Sequence, residues 1–516
     1  MRNRRARDFC AAASVFALAS VAGAQAYPGA VDPSGGVSGA DAPSAGGVPG
    51  APTTGAGAER LIYGADAGFG QTDNVNLAAT NKVAQTIATV DGDFDIKHRS
   101  SRLDVDAKGY LYDYEYLQGA YGNELLGRVD GVARVALIPQ RITWVLQDDF
   151  GQATIDPFVP TTPGNYEHIN YVSTGPDFAL RLGGTGFLDA GVRIARAIYQ
   201  TSPLNSSRAL GNIAAGLQLS PRSTISLNGS AERVLFDNTL VNGNFTRTSA
   251  YLRYQIQGAR TGISVDLGET RISQNGSAGT NTIALEPNGK AVSIPVTIPQ
   301  SAYTATGPLA RISLTRNLSS DAAITLSGGR DLIDGTSSFS SVQGGVLGVS
   351  GTAGAALTSS SYTHTYGTAG WQYVRNRTKI GLSANWERDI YVSQPQFDLK
   401  RVDAEVSVSR KLSRAFALQV VGRYDKNDYP NPGLLLLAGG SPKFDDTLAA
   451  AVLSWRHSRA LELRLRAEHS SRTAVGGYGE NRVFLTVGYR PWAEDPLSGA
   501  SMFDSASSMD SQGFER

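Results

Sequence analysis

The 516-residue chain carries 47 Lys+Arg against 46 Asp+Glu, a formal net charge of +1, so it presents no global positive field to hold nucleic acid. Charged residues are 18 % of it, against about 25 % in ordinary soluble domains, while glycine reaches 58 and methionine and cysteine only 3 and 1, a balance unlike that of a cytosolic enzyme. No run approaches the roughly 20 apolar residues that a membrane helix needs, which excludes helical membrane proteins.

At the start of the chain Arg2, Arg4, Arg5 and Arg7 precede an apolar run from Phe9 to Ala24, and Ala24-Gln25-Ala26 offers the small residues of a cleavage site. Residues 1–26 therefore read as a secretory signal cut after Ala26. Cys10 leaves with it, so the exported chain is expected to have neither disulfides nor a thiol nucleophile. After Tyr27, residues 28–58 are Gly, Ala, Pro, Ser, Val and Thr with two Asp, too poor in apolar bulk to offset the entropy of ordering, so 27–58 stand together. They read as a disordered periplasmic leader, either a spacer or a docking segment.

From residue 60 onward apolar and polar residues alternate with period 2 in runs of about ten, separated by Gly, Asn, Asp, Ser and Pro clusters. Leu461, Leu463, Leu465 and Ala467 alternate with Glu462, Arg464, Arg466 and Glu468; Val402, Ala404 and Val406 alternate with Arg401, Asp403 and Glu405; Leu103, Val105 and Ala107 alternate with Asp104, Asp106 and Lys108. A strand of this kind has one oily and one wet face. The runs predict about twenty strands (18 to 22), from 60–70 through 102–114, 398–410, 415–427 and 460–472 to 482–490. Tight turns such as Pro139-Gln140, Pro221-Arg222 and Arg375 to Arg377 take turns with long connections such as 71–84, 153–167, 274–304, 335–360 and 428–444.

An up-and-down antiparallel meander with turns at one end and loops at the other is the pattern of an outer-membrane barrel in a Gram-negative bacterium. An all-β transmembrane barrel over 59–492 follows, with both of its ends on the periplasmic, tight-turn side and a polar tail at 493–516. Closure pairs every backbone group and removes edges, as hydrocarbon requires. A β-propeller lacks its blade period here, and a sandwich array lacks domain breaks. Trp144, Trp455 and Trp492 fall near the turn side and Trp386 near the loop side, as expected of interfacial girdles.

The chain contains no nucleophile-elbow, zincin, phosphate-loop or paired-cysteine motif, and its five histidines are scattered, so neither enzyme activity, cofactor nor metal is expected. Thr72-Asp73-Asn74-Val75-Asn76-Leu77 brings acidic and amide oxygens together without calcium-loop spacing, which favours Asx-turn chemistry over a bound cation. The wet faces mix signs: Arg401, Asp403, Glu405, Arg423, Asp425, Glu462, Arg464, Arg466 and Glu468 make a hydrated lumenal wall with no strong preference for cation or anion. Tyr110, Tyr112 and Tyr114, with Tyr116, continue the period-2 row of Asp104, Asp106 and Lys108. They line the lumen as a platform for sugar faces, unless a bulge at Gly109 turns them outward as a girdle. Loops 274–304 and 335–360 are long enough to fold inward as constrictions.

Residues Gly64 to Leu77, Gly-Ala-Asp-Ala-Gly-Phe-Gly-Gln-Thr-Asp-Asn-Val-Asn-Leu, resemble the first strand and T-D-N-[VI]-x-[LR] loop of the exopolysaccharide-associated outer-membrane barrel porins, which include the outer-membrane members of the exosortase/PEP-CTERM system. The resemblance implies a place in exopolysaccharide synthesis or export and carries over no catalytic residue. Its implied partners are outer-membrane lipid, the barrel assembly machinery, the exported polysaccharide and inner-membrane or periplasmic export components. Many outer-membrane barrels end on an aromatic at or near the final residue, whereas here Tyr489 is followed by a Ser-rich tail to Arg516. The expected function is a passive conduit or scaffold. A general small-solute porin is the alternative, and an outer-membrane hydrolase or a purely structural envelope anchor are alternatives of another class.

Overall fold

A computed structural model describes residues 60–160, 162–239, 242–276, 280–285, 292–297, 301–335, 358, 360–432, 441–474 and 476–491. The expected signal with Ala24 and Ala26, the leader, the tail, Trp492, most of loop 335–360 and, within loop 274–304, residues 277–279, 286–291 and 298–300 lie outside the described residues.

The strands are β1 (Arg60–Thr72), β2 (Gln85–Arg99), β3 (Leu103–Tyr116), β4 (Glu124–Ile138), β5 (Ile142–Thr154), β6 (Tyr166–Leu182), β7 (Gly186–Tyr199), β8 (Ser206–Ser220), β9 (Ser223–Phe236), β10 (Phe245–Gln257) and β11 (Thr261–Gln274). There follow β12 (Thr280–Leu285), β13 (Val292–Thr297), β14 (Tyr303–Asn317), β15 (Ala322–Asp334), β16 (Ser361–Arg375), β17 (Thr378–Tyr391), β18 (Leu399–Lys411), β19 (Phe416–Asp428), β20 (Lys443–Arg456), β21 (Leu461–Thr473) and β22 (Gly479–Tyr489). Twenty of them form one antiparallel sheet in which each pairs with its neighbours in sequence, and β1 pairs back onto β22, closing the barrel. β12 and β13 pair only with each other, as a hairpin inside the connection from β11 to β14. The alternation rule reads this stretch as loop because each run is only six residues and Pro295 breaks the second, which an edge strand tolerates.

Short turns and long loops alternate around the whole barrel, and β1 starts and β22 ends at the short-turn end. Gln140 and Asn376 take φ of 62° and 52° in two of the turns, the left-handed backbone that tight hairpins need to match strand twist.

Closure makes the two faces of each strand physically different. On the concave face side chains converge and cover one another; on the convex face they diverge. In β21, Leu461 and Leu465 are 43 % and 45 % exposed, while Glu462 and Glu468 on the opposite face are only 7 % and 6 % exposed. The oily face is thus outside and the charged face inside, the reverse of a soluble protein. Outward residues include Phe69, Val90, Val192, Ile194, Leu227, Leu267, Ile312, Val402 and Val487, all exposed and apolar around the circumference. Near the short-turn end a ring of outward aromatics interrupts this belt: Tyr63, Trp144, Phe178, Tyr254, Phe416, Trp455 and Tyr489. Trp386 faces outward on β17, toward the loop end. No helix among the described residues is long and apolar enough to cross a membrane; the strands carry the oily belt.

Candidate functional site

The barrel interior gathers most of the charged residues of the described strands, and pairing registers show which of them face one another. β18 and β19 place Asp403 opposite Asp425 and Glu405 opposite Arg423. Arg401 donates to both oxygens of Asp425 at 2.8 and 2.6 Å, and Arg423 donates to the same carboxylate at 2.9 Å. On the adjoining wall Arg464 Nε reaches Glu462 at 2.9 Å, Arg466 reaches Glu468 at 2.5 Å, and Arg482 holds Glu468 at 2.6 Å and Glu480 at 3.2 Å. Arg490 binds Asp66 and, at 2.7 Å, Asp93, tying β22 to β1 and β2. Nearer the short-turn end Asp104 lies 3.7 Å from Arg134, Asp106 lies 3.5 Å from Lys97, and Lys108 stands opposite Asp95. These pairs make an Arg–carboxylate lattice in which local charge is largely cancelled.

The tyrosine row faces inward. Registers of β3 with β2 and with β4 run without a shift through Gly109, so Tyr110, Tyr112 and Tyr114 share a face with Asp104, Asp106 and Lys108, and no bulge turns them out. They do not stand as free platforms, however. Tyr110 and Tyr112 stack with centroids 6.2 Å apart, Tyr112 and Tyr114 are 5.0 Å apart, and Tyr114 stacks on Phe484 of β22 at 5.9 Å. Val75, Ile87 and Leu126 complete the cluster and leave the rings buried. Phe484 reaches them by lying over Gly70, where a Cβ would stand 2.2 Å from its ring. Tyr116 donates to Glu124 at 2.7 Å, closing the row.

The loop from β5 to β6 is the inward-folding segment among the described residues. Its base is knotted by Asn165, whose Nδ2 donates to the Asp156 carbonyl at 2.8 Å while its Oδ1 accepts the Asp156 N–H at 2.8 Å. Asp156 in turn accepts the Phe158 N–H at 2.9 Å. Phe158 lands on the far wall, 4.8 Å from Tyr429 after β19 and 6.3 Å from Phe397 before β18, and its carbonyl accepts the Ser441 N–H at 3.2 Å. Residues 155–160 and 162–165 therefore belong to a strap across the lumen at the loop end. A second cross-lumen link joins β8 to β15: buried Arg208 donates to Glu232 at 2.9 Å and to Asp334 at 2.7 Å. Of the expected constrictions, 335–360 lies largely outside the described residues and 274–304 is described mainly as the β12–β13 hairpin; the strap belongs to a connection that sequence analysis marked only as long. Its tip carries a single aromatic among Pro, Thr and Gly, a signal too weak to read as an anchor.

Thr72-Asp73-Asn74 has a different role from cation binding. Asn74 is fully buried and bonds the Ala78 and Gly479 carbonyls at 2.9 and 3.0 Å, and Asp73 accepts from the Asn481 N–H and Nδ2 at 2.8 and 2.7 Å. Thr72 donates to Glu480 at 2.5 Å. Every one of these partners except Ala78 lies on β22, so the motif staples the seam where first and last strands meet.

A cluster that spacing did not reveal sits where β16 meets β17. His364, Glu387 and Asp389 converge with one ligand atom each within 4.8 Å of the others. Their sequence signal is only a Glu-x-Asp pair on one strand face and a histidine in register with the aspartate.

Closed curvature, an oily belt with an aromatic ring and a charged interior define an outer-membrane β-barrel, in a Gram-negative outer membrane. No model of a known protein family matches the chain, and no curated protein matches it. Among solved structures it is similar to the copper transporter OprC, at 11 % identity over 84 % of this chain and 83 % of that one with a TM-score of 0.40. It is also similar to the FrpB iron transporter from Neisseria meningitidis (9 % identity, 84 % and 82 % covered, TM-score 0.42) and to OccK2 (OpdF) of Pseudomonas aeruginosa (10 % identity, 83 % and 98 % covered, TM-score 0.29).

Proposed function

We propose that the barrel is a passive conduit for an exported exopolysaccharide, with its short-turn end toward the periplasm. The observation that carries this reading is the lumenal wall: arginines paired with carboxylates at 2.5 to 2.9 Å on β18, β19 and β21. A wall that neutralises itself offers dense hydrogen-bonding groups without a net field, which suits a long hydrated polymer better than a small ion of either sign. The resemblance of residues 64–77 to the exopolysaccharide-associated barrels supports the same substrate. Movement comes from inner-membrane or periplasmic components that synthesise the chain, and barrel assembly machinery inserts the protein.

The test is single-channel conductance of the refolded full chain in a planar bilayer, with exopolysaccharide fragments added at the loop side. Steady conductance interrupted by the glycan, with blockades shortened in Arg466→Gln, is the expected result. Steady conductance indifferent to glycan makes the protein a general small-solute porin and removes the polysaccharide.

A further inference from the structure

Two carboxylates two residues apart on one strand face, with a third donor opposite them, form an arrangement that repels itself unless a proton or a metal cation balances it. Glu387 and Asp389 project from the lumenal face of β17, and His364 stands in register with Asp389 on β16. His364 Nδ1 lies 2.7 Å from Asp389 Oδ1 and 3.7 Å from Glu387 Oε1. Asp389 is 1 % exposed, and its second oxygen, Oδ2, is buried without a hydrogen-bond partner. A buried carboxylate oxygen left this way costs free energy that a ligand recovers.

The neighbouring charges also hold partners outside the cluster. Arg401, opposite Glu387, holds both oxygens of Asp425, and Asp331, opposite His364, is held by Arg311 and Thr270. Tyr366 stacks on His364 at 5.0 Å and Tyr362 meets its edge at 6.2 Å, fixing the imidazole plane. His364 and Glu387 keep 23 % and 14 % of their side chains exposed, so the cluster opens to the lumen.

We propose that His364, Glu387 and Asp389 bind one divalent transition-metal ion of the zinc class, with water completing its coordination. One imidazole nitrogen and two carboxylate oxygens are a donor set for borderline ions, and metal–ligand distances near about 2.0–2.2 Å need the three atoms only to spread around the ion from their present positions. The ion takes the Asp389 oxygen that lacks a partner and offsets the two like charges. It also cross-links β16 to β17 beside Tyr362 and Tyr391, which belong to the aromatic cluster on which Phe158 docks.

The experiment uses refolded full-length protein stripped with chelator, titrated with Zn²⁺ alone by calorimetry and with Co²⁺ by visible absorption. One saturable Zn²⁺ site per chain and Co²⁺ bands of nitrogen–oxygen ligation are expected, with affinity falling at least about 100-fold in His364→Gln and in Asp389→Asn. Unchanged binding in both folded variants places the ion elsewhere and overturns the proposal. Should either variant fail to fold, the wild-type Co²⁺ spectrum decides: absence of ligand-field bands, or a spectrum without imidazole ligation, overturns it equally.

Discussion

Asn74 shows how much a single side chain does at a barrel seam. Its amide bonds the carbonyls of Ala78 and Gly479 and accepts the Ala78 N–H at 3.1 Å, in a fully buried position. Asn74→Ala leaves those backbone groups without partners, and a loss of about 2–4 kcal/mol follows from the cost of orphaned buried groups; urea unfolding of the refolded barrel measures it. Gly68 stands at the same seam with the Leu485 carbonyl 2.2 Å from where a Cβ would sit, so a side chain there has to push β1 from β22. Arg208 is the lumenal counterpart. It is 1 % exposed on its side chain against Glu232 and Asp334 at 4 % each, so Arg208→Met strands buried carboxylate charge and is expected to cost about 3–5 kcal/mol. The double variant Arg208→Met, Asp334→Asn should recover part of that loss, since the stranded charge goes with it; equal stability of single and double variants by denaturant titration contradicts this.

At the scale of elements the strap between β5 and β6 governs the loop end of the lumen. Phe158 anchors it through two aromatic contacts, and Phe158→Ala should release it: open-state conductance in planar bilayers rises while far-ultraviolet circular dichroism stays that of the barrel. Acidity acts on the same element. Burial pushes the Asp156 carboxyl up to about 6 although the Phe158 N–H donates to it. A carboxyl whose folded pKa is raised favours the docked state while protonated, and that advantage is lost as pH rises from about 4 through 6. Conductance should therefore be lower at pH 4.5 than at pH 7.5, and Asp156→Asn should flatten the difference. A pH dependence identical in wild type and variant assigns it to other groups.

For the whole molecule, solvent identity decides which face tolerates charge. Val192 is 52 % exposed at mid-strand on the outward face of β7, in the oily belt. Val192→Arg is expected to destabilise the barrel by about 2–4 kcal/mol in lipid vesicles, the depth-dependent cost of a cation in hydrocarbon. The inward neighbour Arg193 already carries a cation, held by Asp177 at 2.7 Å. Lipid outside and paired charge inside explain how a chain with 41 % hydrophobic residues spans a membrane without one long apolar run.

Strand identity was legible in the sequence because alternation is local: each residue of β21 declares its face by its own polarity, whatever the rest of the chain does. The same rule yielded the twenty-strand closed meander and the sequence of short and long connections. It did not reveal the hairpin of β12 and β13, whose runs are short and broken by Pro295. The face of Tyr110, Tyr112 and Tyr114 stayed open in the sequence, since a bulge at Gly109 reverses every residue beyond it; the unbroken registers with β2 and β4 decided it. Contacts between walls were wholly a matter of tertiary structure. Phe158 meets Tyr429, Arg208 meets Asp334, and Asn74 meets Gly479 only because closure folds a long chain onto itself. Period 2 tells each side chain which side of the sheet it occupies, whereas curvature and closure choose the residue it faces across the lumen.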